Sequence, residues 1–287
     1  MSAPRLLVCE GNTAELCAKQ VEAGGVAMSD GYAEVLRSLL PEAVIDISYP
    51  ADAGANLPIG GLEGYDGVAI TGSALNVYDG GPEIERQIEL TRAVLKSKTP
   101  LFGSCWGLQV VTVAAGGTVR PNPKGRELGV GRRIALTCAG RGHAMYDGKA
   151  SVFDALTVHL DEVETLAPGS TVLATNAQSA VQAVEIKADG GVAWTTQYHP
   201  EFSLGDTAAI VKRYGGRLVN EGFFADETSS DAYVADMRTL DREPANKPLA
   251  WRYAMDETVL NARVRTTELA NWITHQVLPT RASRGRA

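Results

Sequence analysis

The stretch from Thr99 to Gly117, TPLFGSCWGLQVVTVAAGG, does most to limit what this 287-residue chain can fold into. A short apolar strand pattern, Pro100–Gly103, runs into a mostly apolar helical pattern, Trp106–Ala115, through Gly103-Ser104-Cys105-Trp106-Gly107. A strand and a helix joined over so few residues need a sharp turn in which the chain passes close to itself. Side chains two positions either side of the tip would collide there, so Gly103 and Gly107 are the permissive choice. The tip residue, Cys105, is expected in strained backbone. Unpaired N–H groups and the dipole at the start of the following helix favour a thiolate at that place. The same helix start offers the Trp106 backbone N–H to a developing oxyanion. Cys105 therefore reads as a nucleophile, whereas Cys9, Cys17 and Cys138 read as ordinary core cysteines.

The rest of the chain supports a layered α/β architecture. Short apolar runs at Arg5–Cys9, Ala43–Ile47, Gly67–Ile70 and Pro100–Gly103 alternate with helical patterns at Asp30–Leu40 and Glu83–Lys98, which is the signature of a mostly parallel sheet flanked by helices. From residue 130 the pattern changes to strands joined by turns, at Arg133–Thr137, Thr171–Thr175, Val181–Ile186 and Val192–Gln197. That predicts an antiparallel or mixed extension of the sheet. Asp206 is expected to cap a helix carrying Ile210, Tyr214 and Leu218.

Composition narrows the function classes. The net charge of −7 argues against a nucleic-acid or anionic-membrane surface, each of which wants clustered Lys and Arg. The four cysteines make no CxxC pair and no metal-ligand spacing, so no metal site is expected. No basic segment followed by a long apolar one opens the chain, and a cytoplasmic location is the expectation.

A nucleophilic cysteine needs a base and something to hold that base. Among His143, His159, His199 and His275, His199 alone follows directly on an apolar strand, in Trp194-Thr-Thr-Gln-Tyr-His-Pro-Glu201. Ligand sites in α/β sheets form at the carboxyl ends of strands. Pro200 biases His199 toward extended backbone, where residues i and i+2 face the same side. Glu201 is thus placed to accept the second imidazole N–H and fix the tautomer.

GSCWGLQ together with QYHPE resembles the class I, triad-type glutamine amidotransferase domains, such as that of GMP synthase, through most of residues 1–220. The resemblance implies a flavodoxin-like sheet, a γ-glutamyl thioester on Cys105, and release of ammonia before hydrolysis to glutamate. It also implies that the Gly72 backbone N–H completes an oxyanion hole with that of Trp106. Gln109 would contact the amino-acid end of the substrate. His159-Leu160-Asp161 resembles the family's His-Gly-Asp loop bordering the glutamine pocket, with Leu160 in place of the glycine.

The sequence carries no phosphate-binding G-x-x-x-x-G-K-[ST] loop, and no cofactor is expected. Residues 221–287 are expected to be a helical extension, with a last helix from about Asp256 to Val277 and a frayed basic tail from Arg281 to Arg286. Packing on the main domain, covering the site and forming a homodimer contact are all open to it. The leading expectation is a glutamine-hydrolysing subunit that hands ammonia to a separate synthase. The alternatives are a γ-glutamyl hydrolase or transpeptidase that needs no synthase, and a non-catalytic regulator that kept the fold. The coupled reading predicts a mobile Gly72 loop that completes the oxyanion hole when a partner binds.

Overall fold

The computed structural model of the protein describes residues 3–58 and 60–286. Eleven strands are present among these: β1 (Arg5–Cys9), β2 (Val44–Ser48), β3 (Gly67–Ile70), β4 (Leu101–Ser104), β5 (Thr118–Pro121), β6 (Glu127–Leu136), β7 (Val152–His159), β8 (Asp161–Thr165), β9 (Ser170–Thr175), β10 (Ala183–Ala188) and β11 (Gly191–Thr196). Nine form one sheet in the order β2-β1-β3-β4-β11-β10-β9-β6-β7. The half from β2 to β11 is parallel, and the half from β11 to β7 is antiparallel. The sheet is thus a parallel core with an antiparallel extension, the α/β, flavodoxin-like arrangement with flanking helices.

After a first helix, α1 (Ala14–Glu22), helices cover both faces of the parallel half. On one side α2 (Met28–Leu39) sets Tyr32, Ala33 and Leu36 against Leu6, Val8, Ala69 and Phe102. On the other, α3 (Pro82–Ser97) and α4 (Trp106–Ala114) bury Ile84, Leu90, Val94, Leu108 and Val110 against Leu7, Val68, Ile70 and Leu101. Leu6 and Leu7, successive along β1, fall in opposite clusters because neighbouring strand side chains point to opposite faces.

Several sequence expectations are corrected. The helix placed after Asp206 is capped by Ser203, with the Asp206 carboxylate accepting from the Ser203 backbone N–H, and it ends at Tyr214. Gly215, at φ 46°, turns the chain there, so Leu218 belongs to a separate short helix, Gly216–Asn220. The polar run 225–231 has the composition of a loop yet leads into a helix. Asp226 caps the 16-residue helix Glu227–Arg242, which buries Val234, Met237 and Leu240. The single helix expected over Asp256–Val277 is broken by Asn261, which caps the turn Ala262–Arg265 with its side chain.

The C-terminal stretch shares its core with the sheet. Leu269, Trp272, Ile273 and Val277 sit in the same cluster as Leu6, Tyr32 and Phe102, and Phe102 meets Trp272 edge to face at 6.0 Å. The basic tail is not frayed. Arg281 and Arg286 both reach Asp66, and Arg284 donates to the carbonyls of Glu63, Tyr65 and Ser97. Asp66 is 1% exposed, and a carboxylate so buried requires partners of this kind.

Candidate active site

Strand register delivers the site. β3, β4 and β11 are parallel neighbours, with Ile70 opposite Gly103 and Ser104 opposite Thr196. Their carboxyl ends therefore lie side by side, and Gly72, Cys105 and His199 follow them directly. The Cys105 N–H donates to the Thr196 carbonyl at 2.7 Å, which fixes the elbow against the strand leading to His199.

The elbow has the strain its sequence implies. Cys105 has φ 52° and ψ −96°, a conformation a side-chain-bearing residue holds only where its surroundings enforce it. A Cβ on Gly103 would lie 2.6 Å from the Gly107 carbonyl carbon, and one on Gly107 would lie 2.6 Å from the Ile70 carbonyl oxygen. The two glycines are needed for this crossing. Trp106 begins α4, so its backbone N–H has no intrahelical acceptor and faces the elbow. Its indole is buried and donates to Gln87 Oε1 at 2.7 Å, which pins the start of the helix.

His199 is 2% exposed, and its Nδ1 lies 2.7 Å from Glu201 Oε1. Phe202 stacks on the imidazole at 3.7 Å with the ring planes 6° apart. Burial works against the charged imidazolium, but the Glu201 carboxylate and the Cys105 sulfur outweigh it and raise the His199 pKa from 6.5 to about 10. The ring thus holds a proton at neutral pH beside a sulfur that is itself 5% exposed. Sulfur, imidazole and carboxylate stand in the order that acyl transfer through a thioester would use.

The Gly72 loop is anchored. Thr71 Oγ1 donates to the Gly72 carbonyl at 2.9 Å and accepts from the Gly11 N–H at 2.9 Å. Asn12 Oδ1 accepts from the Ala74 N–H at 2.9 Å. A Cβ at Gly72 would come 2.6 Å from His199 Cε1, so a glycine there lets the base approach.

Gln109 is buried one turn into α4 and lines a cavity of about 100 Å³ beside Cys105, with Arg126, His159, Asp161 and Arg217 on its other walls. The segment expected to be a His-Leu-Asp loop is a corner, where β7 ends at His159 and β8 begins at Asp161. Both His159 nitrogens are engaged, Nδ1 with the Asp161 carbonyl at 2.9 Å and Nε2 with Glu127 Oε2 at 2.8 Å. The ring therefore braces the corner while lining the cavity together with Asp161. That carboxylate accepts from the Tyr78 hydroxyl at 2.9 Å, and burial raises its pKa.

Three contributors were not singled out from sequence. Gln197 Nε2 donates to Cys105 Sγ at 3.5 Å, and it shares the alternating face of His199 and Glu201, which was its available signal. Asn12 anchors the Gly72 loop and Phe202 backs His199, contacts made across the fold that no local pattern announces.

Fold and site together define a cysteine amidohydrolase built on an α/β elbow. The chain belongs to the class I glutamine amidotransferase family, whose sequence profile matches residues 36–214. It is 34% identical over 283 residues to the gamma-glutamyl-L-1-hydroxyisopropylamide hydrolase of a Pseudomonas species, covering 96% of this chain and 94% of that protein. It is 29% identical over 177 residues to gamma-glutamyl peptidase 3 of Arabidopsis thaliana, covering 61% of this chain and 70% of that one. Its fold superposes on a glutamine amidotransferase of Thermotoga maritima with a TM-score of 0.68 at 16% identity, over 96% of this chain and 99% of the other.

Proposed function

We propose that the protein is a γ-glutamyl amide hydrolase that works without a synthase. The observation carrying this reading is the likeness to the Pseudomonas hydrolase along nearly the whole chain, which takes in the C-terminal segment as well as the elbow and the His199 strand. The anchored Gly72 loop supports it, since a synthase-gated glutaminase calls for an oxyanion hole that waits for its partner. A hydrolase acting alone wants that hole already formed.

In this reading Cys105 Sγ attacks the γ-carbonyl carbon, and the oxyanion is met by the N–H groups of Trp106 and Gly72. The C–N bond breaks as His199 gives its proton to the departing nitrogen, leaving a γ-glutamyl thioester and a free amine. Water then attacks the thioester while His199 takes one of its protons. Glutamate departs, and sulfur and imidazole return to their first state. Glu201 holds the ring throughout. Gln109 and Asp161 face the glutamyl end, where Asp161 suits the substrate's α-ammonium group.

The test is to assay pure protein on glutamine and on a panel of γ-glutamyl amides, with and without fractionated cell extract, using Cys105→Ala as the blank. The expected result is rapid cleavage of at least one substituted amide by the protein alone. Fast glutamine turnover that appears only with extract, with the substituted amides untouched, would return the reading to a synthase-coupled glutaminase.

A further inference from the structure

Two spaces meet at Cys105. One is the cavity of about 100 Å³ lined by Gln109, Asp161 and Arg126. The other is narrow, about 20 Å³, and is lined by Gly72, His199, Met28, Phe202, Ile210 and Arg213. They share Ser73, Cys105, Val158 and Tyr214, so the sulfur sits at the junction. A leaving nitrogen must receive its proton from His199, and His199 lines the second space alone. The glutamyl part therefore fills the first space and the amine departs through the second.

The second space sets the apolar side chains Met28, Phe202 and Ile210 beside two cations, the His199 imidazolium held by Glu201 and the Arg213 guanidinium. Arg213 Nη1 is buried with no hydrogen-bond partner among the described residues. Its neighbours are all provided for: Lys212 pairs with Asp231 at 2.8 Å, and Arg126 and Arg217 both pair with Glu221 at 2.8 Å. The Arg213 guanidinium has the Tyr214 ring, 5.3 Å away, and no carboxylate partner among the described residues. A buried donor left without an acceptor is costly, the more so when it is charged. An acceptor brought in by the substrate removes that cost.

We propose that Arg213 is a specificity-determining residue that selects the leaving amine, and that this amine is short and carries a carboxylate or hydroxyl near its nitrogen. The inference rests on the γ-glutamyl hydrolase reading and supplies the other half of its substrate. A planar guanidinium with parallel N–H groups matches a carboxylate best and a hydroxyl by one bond. Ammonia and plain alkylamines leave the donor unmet. The narrow space excludes bulky amines, and the Met28, Phe202 and Ile210 walls suit the short carbon skeleton between nitrogen and acceptor.

The experiment measures kcat/KM for three γ-glutamyl amides with one skeleton, those of alanine, 2-aminopropan-1-ol and isopropylamine. Wild type, Arg213→Met and Arg213→Lys are compared. The expected order in wild type is alanine, then aminopropanol, then isopropylamine, with at least ~10-fold between the ends of the series, worth ~1.4 kcal/mol of barrier. Arg213→Met collapses the ratio between the ends, and Arg213→Lys retains part of it. Ratios within one preparation do not depend on how much of a variant is folded. A flat wild-type series, or an unchanged ratio in Arg213→Met, overturns the role of Arg213 while leaving the hydrolase reading intact. Failure of wild type to cleave any of the three, with glutamine turned over, overturns that reading and this inference with it.

Discussion

The Tyr198 hydroxyl donates to Glu268 Oε1 at 2.6 Å, joining the residue before His199 to the C-terminal segment 70 positions away. Tyr146 meets the same hydroxyl at 2.9 Å, and Lys149 closes the buried cluster on Glu268 Oε2 at 2.6 Å. One helical turn earlier, Arg265 Nε donates to the Phe202 carbonyl at 2.7 Å. The C-terminal segment thus grips the His199–Glu201 stretch from both ends.

Removing that grip is expected to affect turnover as well as stability. Tyr198→Phe leaves Glu268 Oε1 short of a donor, at a cost of ~1–3 kcal/mol. Because His199 is the next residue, we expect kcat to fall several-fold while KM stays near wild type. Thermal melting and steady-state kinetics on one preparation separate the two effects. A lowered Tm with unchanged kcat would mean that the link serves stability alone.

The cysteines give a second prediction. Burial pushes both Cys9 and Cys17 up to about 12, so neither presents a thiolate at neutral pH. Cys138 is exposed and free. Iodoacetamide should therefore label Cys105 and Cys138, with inactivation tracking Cys105 alone, and Cys138→Ala should inactivate at the wild-type rate. Inactivation that followed Cys138 by peptide mapping would remove Cys105 as the nucleophile. Cys105→Ala should lose all measurable turnover.

Much of this was legible in the sequence, and what was not has physical reasons. The elbow showed because strand, tip, flanking glycines and helix are local, and every step of Gly103–Gly107 is constrained by its neighbours. The parallel strands showed because full burial makes them continuous apolar runs. The helix Glu227–Arg242 was hidden because its first turn is polar capping chemistry, in which Asp226 and Ser229 satisfy one another and look like a loop. The anchoring of Arg281, Arg284 and Arg286 on a buried Asp66 and on backbone carbonyls joins places more than 180 positions apart, beyond any local pattern. Arg213 was missed for a related reason, since an unpaired cation on a helix looks the same in sequence as a paired one.

Gly72 offers a test of packing against chemistry. Its backbone φ is not in the left-handed region, so alanine suits the backbone, and the Gly72 N–H survives the substitution. The added methyl would fall 2.6 Å from His199 Cε1, and the ring is confined by Phe202 stacked at 3.7 Å. Gly72→Ala is therefore expected to displace the imidazole and lower kcat by ~10²-fold, the usual scale for a misplaced catalytic group, with the fold retained by circular dichroism. Near-normal kcat would show that the base has room to move.

The charge state of His199 fixes the pH dependence. Burial opposes its protonation, yet the Glu201 carboxylate and the Cys105 sulfur carry its pKa from 6.5 to about 10. The folded value lies above the unfolded one. The stabilisation from the pair is therefore complete below about pH 6.5 and is lost as the pH rises through about 10. In the proposed mechanism catalysis follows the same proton, because the imidazolium supplies it to the leaving amine. We expect kcat/KM to hold through neutral pH and to fall on an alkaline limb near 10. Glu201→Gln keeps the shape and removes the charge, so its limb should move down toward the ordinary histidine range. The stability gap between wild type and Glu201→Gln in denaturant should narrow as the pH climbs toward 10. A wild-type limb already near 6.5, unmoved by Glu201→Gln, would mean that the buried ring is neutral at work and that the thiol must be deprotonated by it at each turnover.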